Sequence, residues 1–308
     1  MIESTLDRNG IKYEFLETKG SLDALNFAKN LNIDDYDAIV AVGGDGTHHE
    51  IVNGLMQRPD KRKLPICFLP GGTGNDNCGS FSINDMETGL KYLLKGNTIK
   101  MDILRALLDH ETEDEVVRKA QSDRGFERND HLRYSVINTS LLLVGLTAKN
   151  AVPMKPYLGS TAYTVSCVVE LIKRERGIFD IEIDDGLEYI KDLDTQYMQI
   201  YNGKTGGGRI ILNPIGMIND GYMEMVFRPD FVGPVSAINL FVQPGGIMFY
   251  DEGFTCYRCR KIKLINKKRN ADGSNSIVDI NIDGEDLTFT KFAKYEVLKG
   301  ELDVIVDF

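Results

Sequence analysis

Three glycines and a carboxylate fall together in Val40-Ala-Val-Gly-Gly-Asp-Gly-Thr47, where an apolar strand ends and a helix begins. Gly43, Gly44 and Gly46 lack a Cβ, so the main chain can turn sharply and let a polyphosphate approach its N–H groups. The following helix adds the positive end of its dipole. Asp45 is the odd member of this loop. A carboxylate beside bound phosphates repels them unless a divalent cation or a reacting hydroxyl lies between, so Asp45 reads as a metal-positioning or proton-handling group. A second glycine turn, Leu69-Pro-Gly-Gly-Thr-Gly-Asn-Asp76, closes the next apolar strand, Pro65-Ile-Cys-Phe-Leu69. Two such loops one strand apart predict a single site.

The elements that must hold these loops alternate in period. Ile11-Lys-Tyr-Glu-Phe-Leu16 and Ala38-Ile-Val-Ala-Val42 read as strands, while residues 21–31, 48–56 and 84–94 carry apolar side chains at helical spacing. Strands alternating with helices imply a parallel, doubly wound, Rossmann-like sheet, which binds ligands beyond the carboxyl ends of its strands. Both glycine turns fall there. From about Lys100 the pattern changes to short strand-like runs, among them residues 134–138, 179–183, 196–201, 223–227, 261–265 and 278–282. One helix, Tyr163 to Arg174, interrupts them, so a β-sandwich-like second domain with a covering helix is expected. The division predicted is an α/β nucleotide domain over 1–102 and a β-rich domain over 103–308, the last strand, Leu302-Asp-Val-Ile-Val306, returning to the first. Asp109 to His131, dense in charge, reads as a partly mobile surface excursion.

Composition limits the partners. The 308 residues are 42% hydrophobic, as expected of a globular chain, and the net charge of −10 argues against nucleic acid, which rewards a broadly basic face. The best apolar run, Ser140 to Thr147, is too short for a bilayer span, and Met1-Ile-Glu-Ser-Thr-Leu-Asp7 has neither the basic nor the apolar region of a signal peptide. A cytoplasmic, reducing location is expected, with the five cysteines as free thiols and Cys256-x-x-Cys259 no zinc site.

Further blocks follow in order along the chain. After Gly43-Gly-Asp-Gly-Thr-His-His-Glu-Ile-Val-Asn-Gly54 and Pro70-Gly-Gly-Thr-Gly-Asn-Asp76 come Asp102, Asn202, Gly206-Gly-Gly208, Pro214, Asn219-Asp-Gly221 and Asp283-Gly-Glu285. In types and order they resemble the diacylglycerol kinase catalytic family, the lipid kinases that include sphingosine and ceramide kinases. The resemblance implies that Gly43, Gly44, Asp45, Gly46, Thr47, Glu50, Gly72 and Thr73 bind ATP, with Asn75 and Asp76 shaping the same crevice. It makes Glu285 the general base for a lipid hydroxyl, or Asp45 as in relatives of the sphingosine kinase type. It further implies a magnesium ion on Asp220, helped by carbonyls near Met217 and Tyr222 and linked to the site through Asp102. The family normally opens with a strand and an Asn-Pro-glycine loop that touches nucleotide. This chain begins inside the expected first helix, so a catalytically silent nucleotide- or lipid-binding member is an alternative.

Other motifs divide between functional and plain readings. Gly-Gly-Asp-Gly-Thr is shared with NAD kinases, and Gly159-Ser-Thr-Ala-Tyr163 resembles a segment of theirs, so an NAD kinase is a second alternative. His48 and His49 read as helix-surface residues, and Gly206-Gly-Gly208 as a turn outside the phosphate site. Arg258 to Arg269 carries seven basic residues, a protected edge strand or a ribbon for anionic headgroups at a membrane surface.

Overall fold

A computed structural model of the chain describes residues 1–125, 128–159, 161–208, 210–230, 232–233 and 252–307. After α1 (Ile2–Arg8) and α2 (Asp23–Asn30), β1 (Ile39–Gly43) leads into α3 (Asp45–Met56). β2 (Ile66–Pro70) leads into the short α4 (Asp76–Ser80), followed by α5 (Met86–Lys95). β1 and β2 run parallel, in register from Ile39–Ile66 to Gly43–Pro70. Ile66 and Phe68 pack with Ile51, Val52 and Leu55 of α3, whereas Cys67 and Leu69 pack with Leu90 of α5. Helices thus cover opposite faces of β2, which explains why this strand reads as an unbroken apolar run.

The chain continues through β3 (Thr98–Leu108), α6 (Glu113–Ser122), α7 (Arg128–His131), β4 (Leu132–Ser135) and β5 (Asn138–Leu141). Then come α8 (Leu142–Ala151), α9 (Lys155–Leu158), α10 (Thr161–Lys173), β6 (Gly177–Ile183), β7 (Glu188–Thr195) and β8 (Tyr197–Tyr201). β9 (Thr205–Gly206) and β10 (Ile210–Ile211) form a small hairpin before β11 (Met223–Arg228). The last strands are β12 (Thr255–Cys259), β13 (Lys261–Asn266), β14 (Val278–Ile282), β15 (Glu285–Phe289) and β16 (Phe292–Ile305).

Two large sheets result. One has the order β12-β11-β8-β5-β14-β15 and is antiparallel throughout. The other runs β1-β2-β16-β13-β6-β7, with β3 paired to β16 and β4 to β3. Alternate residues of the two sheets, such as Ala106, Ile181 and Leu264 from one and Met198, Met225 and Ile280 from the other, share a sandwich core. α8 and α10 cover the outer face of the antiparallel sheet, where Leu143 and Cys167 meet Tyr197, Tyr201 and Val226. The fold is α/β with a parallel segment, followed by a mostly strand half, as the sequence indicates.

β16 joins the halves. One of its edges pairs with β3 from Phe292's neighbour Ala293, opposite Leu108, to Ile305, opposite Thr98, with a register shift between Leu298 and Leu302. Its other edge pairs with β13 at Lys261–Ile265 and lies parallel to β2 at Val304–Ile66. Residues on either side of position 102 are consecutive members of β3.

Three expectations change. Ile11 to Leu16 is not a strand: none of the described strands pairs with it, and Phe15 is 59% exposed, so its alternation has no ladder to join. Asp109 to His131 contains α6 and α7. The Thr112 hydroxyl caps α6 by accepting from Glu115 N–H (3.2 Å), and Val116, fully buried, docks the helix on Leu107 and Leu132. The run Ser140 to Thr147 ends β5 and starts α8, a second helix over the sandwich that the sequence reading omits.

Candidate active site

The two glycine turns meet at the carboxyl ends of β1 and β2. Gly71 N–H donates to Gly43 C=O at 2.8 Å. A Cβ on Gly72 would lie 2.4 Å from Gly44 Cα, and one on Gly43 would lie 2.7 Å from Thr47 Cβ. Close approach therefore excludes side chains here, leaving a backbone cradle at the N-terminus of a three-turn helix. Gly46 and Thr73 are exposed on it, and Thr47 is half-buried. Asn75, at φ 56°, folds the second turn on itself: its Oδ1 accepts from Gly72 N–H (2.9 Å) and its Nδ2 donates to Gly72 C=O (2.7 Å).

Asp45 opens α3, and its Oδ1 accepts from Asn77 N–H at 3.0 Å, tying the first turn to α4. Both carboxylate oxygens of Asp76 accept from Gly208 N–H (3.1 Å each), and Thr205 Oγ1 donates to Asp76 C=O (2.7 Å). The Gly206 to Gly208 segment is indeed a turn, with φ 68° at Gly207 and 95° at Gly208. It also sits on the second glycine loop, a placement that sequence position did not suggest. Glu50 faces elsewhere: its two oxygens accept from Leu22 N–H (2.9 Å) and Ala24 N–H (3.2 Å), anchoring the start of α2.

The Asp283-Gly-Glu285 turn reaches the same region through α3. Asp283, buried at φ 51°, accepts from Ser135 Oγ (2.8 Å) and from the N–H groups of Val136 (2.6 Å), Ile137 (2.9 Å) and Asn138 (3.0 Å). Its other contact is His49 Nδ1, at 3.0 Å. One helical turn on, Asn53 bonds both the N–H and the C=O of Tyr134 (2.9 Å each). His49, Asn53 and Asp283 thus clamp the β4–β5 connection onto the helix behind the first glycine loop.

Neither histidine lies on the helix surface, correcting the sequence reading. His48 is 0% and His49 2% exposed. The Nε2 of His48 lies 3.2 Å from Ala41 C=O, and its ring is 4.9 Å from Phe68. Burial holds His48 below its ordinary value, against an opposing pull from Asp45. Both side chains fill space between the helix and the strands beneath it, which is why a surface position fails.

Glu285 begins β15 half-buried, and its side chain makes no hydrogen bond or ion pair with the described residues. Its charge acts on the buried guanidinium of Arg133, which burial pulls below its ordinary value and Glu285 pulls back up. Sequence reasoning missed Arg133, Asn53 and the His49–Asp283 pair. A buried Asn or Arg has no periodic signature, although the Asp-Gly-Glu triplet did mark the turn.

The two carboxylates expected around magnesium are otherwise engaged. Asp102 is fully buried, with Oδ1 accepting from Gly300 N–H (2.7 Å) and Oδ2 from Gly221 N–H (2.6 Å). Burial raises its carboxyl above the usual range, partly offset by those two bonds. Asp220 accepts from Tyr222 N–H (2.9 Å) through Oδ1 and holds Arg258 through Oδ2. Met217 is 51% exposed, and among the described residues no three His, Cys, Asp or Glu side chains group to hold a metal ion. With Arg258 in place, neither carboxylate offers a magnesium ion an oxygen free of a partner.

The basic ribbon is largely neutralised as well, with Arg258 on Asp220, Lys261 on Asp185 (2.7 Å) and Lys267 on Asp180 (2.8 Å). A cavity of about 790 Å³ lies apart from the glycine loops, between α6 and the outer face of the mixed sheet. Its charges, such as Arg128 with Glu113 (2.6 Å) and Lys294 with Glu111 (2.9 Å), satisfy one another.

Residues 1–106 match the model of the diacylglycerol kinase catalytic domain. This N-terminal third of the chain belongs to that family. Its lipid kinase relatives include the "Probable lipid kinase YegS-like" of Shewanella frigidimarina, 30% identical over 215 residues that cover 68% of this chain and 60% of that protein. The sphingoid long chain base kinase 4 of Schizosaccharomyces pombe is 40% identical over 99 residues, 30% of this chain and 21% of that one. The diacylglycerol kinase of Staphylococcus aureus strain JH9 is 34% identical over 99 residues, 32% of this chain and 31% of that one. The matches thus span three fifths or less of these relatives' lengths. A crystal structure of a diacylglycerol kinase from Bacillus anthracis shares the fold, with a TM-score of 0.66 at 17% identity over 99% of this chain and 92% of that chain. No helix among the described residues is long and apolar enough to cross a membrane.

Proposed function

We propose that the chain transfers the γ-phosphoryl group of ATP to the hydroxyl of a lipid of diacylglycerol, sphingoid-base or ceramide type. The observation that carries this reading is the contact between the two glycine turns, a cradle that a Cβ would fill, beside a helix bound to the Asp283-Gly-Glu285 turn. The backbone from Gly43 to Thr47, with Gly72 and Thr73, binds the phosphates, and the N-terminus of α3 faces their charge. Magnesium bound with the nucleotide would supply positive charge against the transferring group. The chain's own contribution is position and a base.

Of the two candidate carboxylates, Asp45 accepts from Asn77 N–H, whereas the Glu285 carboxylate accepts no hydrogen bond from the described residues and acts only through its charge on Arg133. Glu285 therefore accepts the hydroxyl proton as the new P–O bond forms, and Asp45 holds the loops together. An aliphatic hydroxyl is hardly ionised at neutral pH, so the base acts in the transition state.

The acceptor reaches the site from a membrane surface. In support, α10 turns Ser166, Cys167 and Glu170 inward and leaves Val165, Val168, Val169 and Ile172 between 41% and 75% exposed. Lys155, Lys173 and Arg174 are exposed around this stripe, a composition suited to an anionic bilayer.

The test is labelled-phosphate transfer from Mg-ATP with diacylglycerol, sphingosine and ceramide in vesicles, and NAD in parallel. A labelled lipid is expected, with Glu285→Gln at least about a hundredfold slower while still folded by circular dichroism. Labelled NAD would make the chain an NAD kinase. Nucleotide binding without any product would make it a silent member.

A further inference from the structure

We infer that Arg258 is a built-in cation for the Asp220 turn, standing where the family resemblance implies a magnesium ion. Three partners fix its guanidinium. β12 pairs with β11 so that Arg258 lies directly opposite Glu224, and Arg258 Nε is 3.5 Å from Glu224 Oε1. Its Nη2 bonds Asp220 Oδ2, and its plane lies over the Tyr222 ring with Cζ 4.6 Å from the centroid. Arg260 reinforces this arrangement by donating to Tyr222 Oη at 3.0 Å. A planar, delocalised cation can serve two carboxylates and a ring at once; a lysine, as a point charge, cannot.

A divalent ion finds neither carboxylate open while Arg258 is in place. It must displace Arg258 from one oxygen of Asp220, and the other oxygen is bound to Tyr222 N–H. Asp102 offers nothing in exchange, because both its oxygens accept backbone N–H groups. Oxygen-seeking cations need several open carboxylate or carbonyl oxygens at once.

The turn so held is a junction. Asp102 of β3 links it to Gly300 at the register shift of β16, and Asp102 N–H donates to Ile218 C=O (2.7 Å). Glu224 in turn accepts from Asn213 Nδ2 (2.8 Å), which also donates to Gly203 C=O (3.2 Å), just before the segment that bonds Asp76 in the second glycine loop. Arg258 is therefore a positioning residue, acting on the glycine loop through Glu224, Asn213 and the Gly206 to Gly208 turn.

The experiment is thermal melting without nucleotide or lipid, in EDTA, millimolar Mg²⁺ and millimolar Ca²⁺, so that its outcome is separate from the phosphotransfer reading. The wild type is expected to melt at one temperature in all three. Arg258→Gln should melt about 2–4 °C lower in EDTA and recover with either ion, the recovery vanishing when Asp220→Asn is added. Arg258→Lys, which keeps the charge, should stay indifferent to the ions and keeps the test open if the Gln variant does not fold. A wild-type shift with Mg²⁺ that Asp220→Asn abolishes would overturn the inference, as would an Arg258→Gln protein that no divalent ion restores.

Discussion

His48 packs beneath the first glycine loop with no exposure to water, so a charged imidazole is disfavoured there. Its folded value is below the unfolded one of about 6.5, and below that pH the unfolded chain binds more protons. Stability from this residue is therefore full above about pH 6.5 and is lost on acidification, with a slope of at most about 1.4 kcal/mol per pH unit. His131, likewise lowered by burial, acts in the same direction. Denaturant melts between pH 5 and 8 should show this fall, and His48→Gln should flatten it; an unchanged slope would disprove the assignment. At this scale the sequence exposed the residue types but not their partners. Asp45 and Glu285 were both readable as chemistry-bearing carboxylates, yet only the Asn77 contact separates their roles. His49 and Asp283 lie 234 positions apart, and no local period connects them.

The glycine turns were legible as elements because their requirement is local: each follows an apolar strand and precedes a helix. What the sequence could not supply was their mutual contact. Gly72→Ala tests it, since the new Cβ meets Gly44 backbone at 2.4 Å and must part the two loops. The expected result is at least a tenfold loss of nucleotide affinity and a destabilisation of about 1–3 kcal/mol. Gly54→Ala is the control. Its Cβ would meet Leu25 C=O at 2.3 Å, disturbing α2 against α3 away from the cradle, so it should lower stability while the folded protein binds nucleotide normally. Equal losses of affinity in both variants would remove the special role of the loop contact. Elements defined by distant partners were harder to read. Ile11 to Leu16 alternates without a ladder, and α6 hides in a charged segment because only Val116 of its residues is fully buried.

At the scale of the whole molecule, β3 and β16 pass through both halves as one ladder, while the other neighbour of β16 changes from β2 to β13. The apolar surfaces on either side of that ladder, such as Ile103 and Val304 in one core and Leu104 and Tyr295 in the other, belong to the same two strands. Unfolding one half would strip the strands that floor the other. A single cooperative transition is therefore expected: loss of nucleotide binding, near-ultraviolet circular dichroism and tyrosine fluorescence should share one denaturation midpoint. Two separated midpoints would show that the ladder does not couple the halves. The alternation of strands and helices made the first half's architecture readable, but strand order across some 200 positions rests on long-range pairing that no window of sequence contains.

The same ladder sets an order of events during synthesis. β2 emerges early with an apolar sequence and parallel partners on both edges, but one of those partners is the last strand of the chain. At typical elongation rates the interval is on the order of tens of seconds. Throughout it, the strand that carries the second glycine turn has one bare, hydrogen-bond-hungry edge beside the nascent chain, a natural point of hold for a chaperone and of mispairing without one.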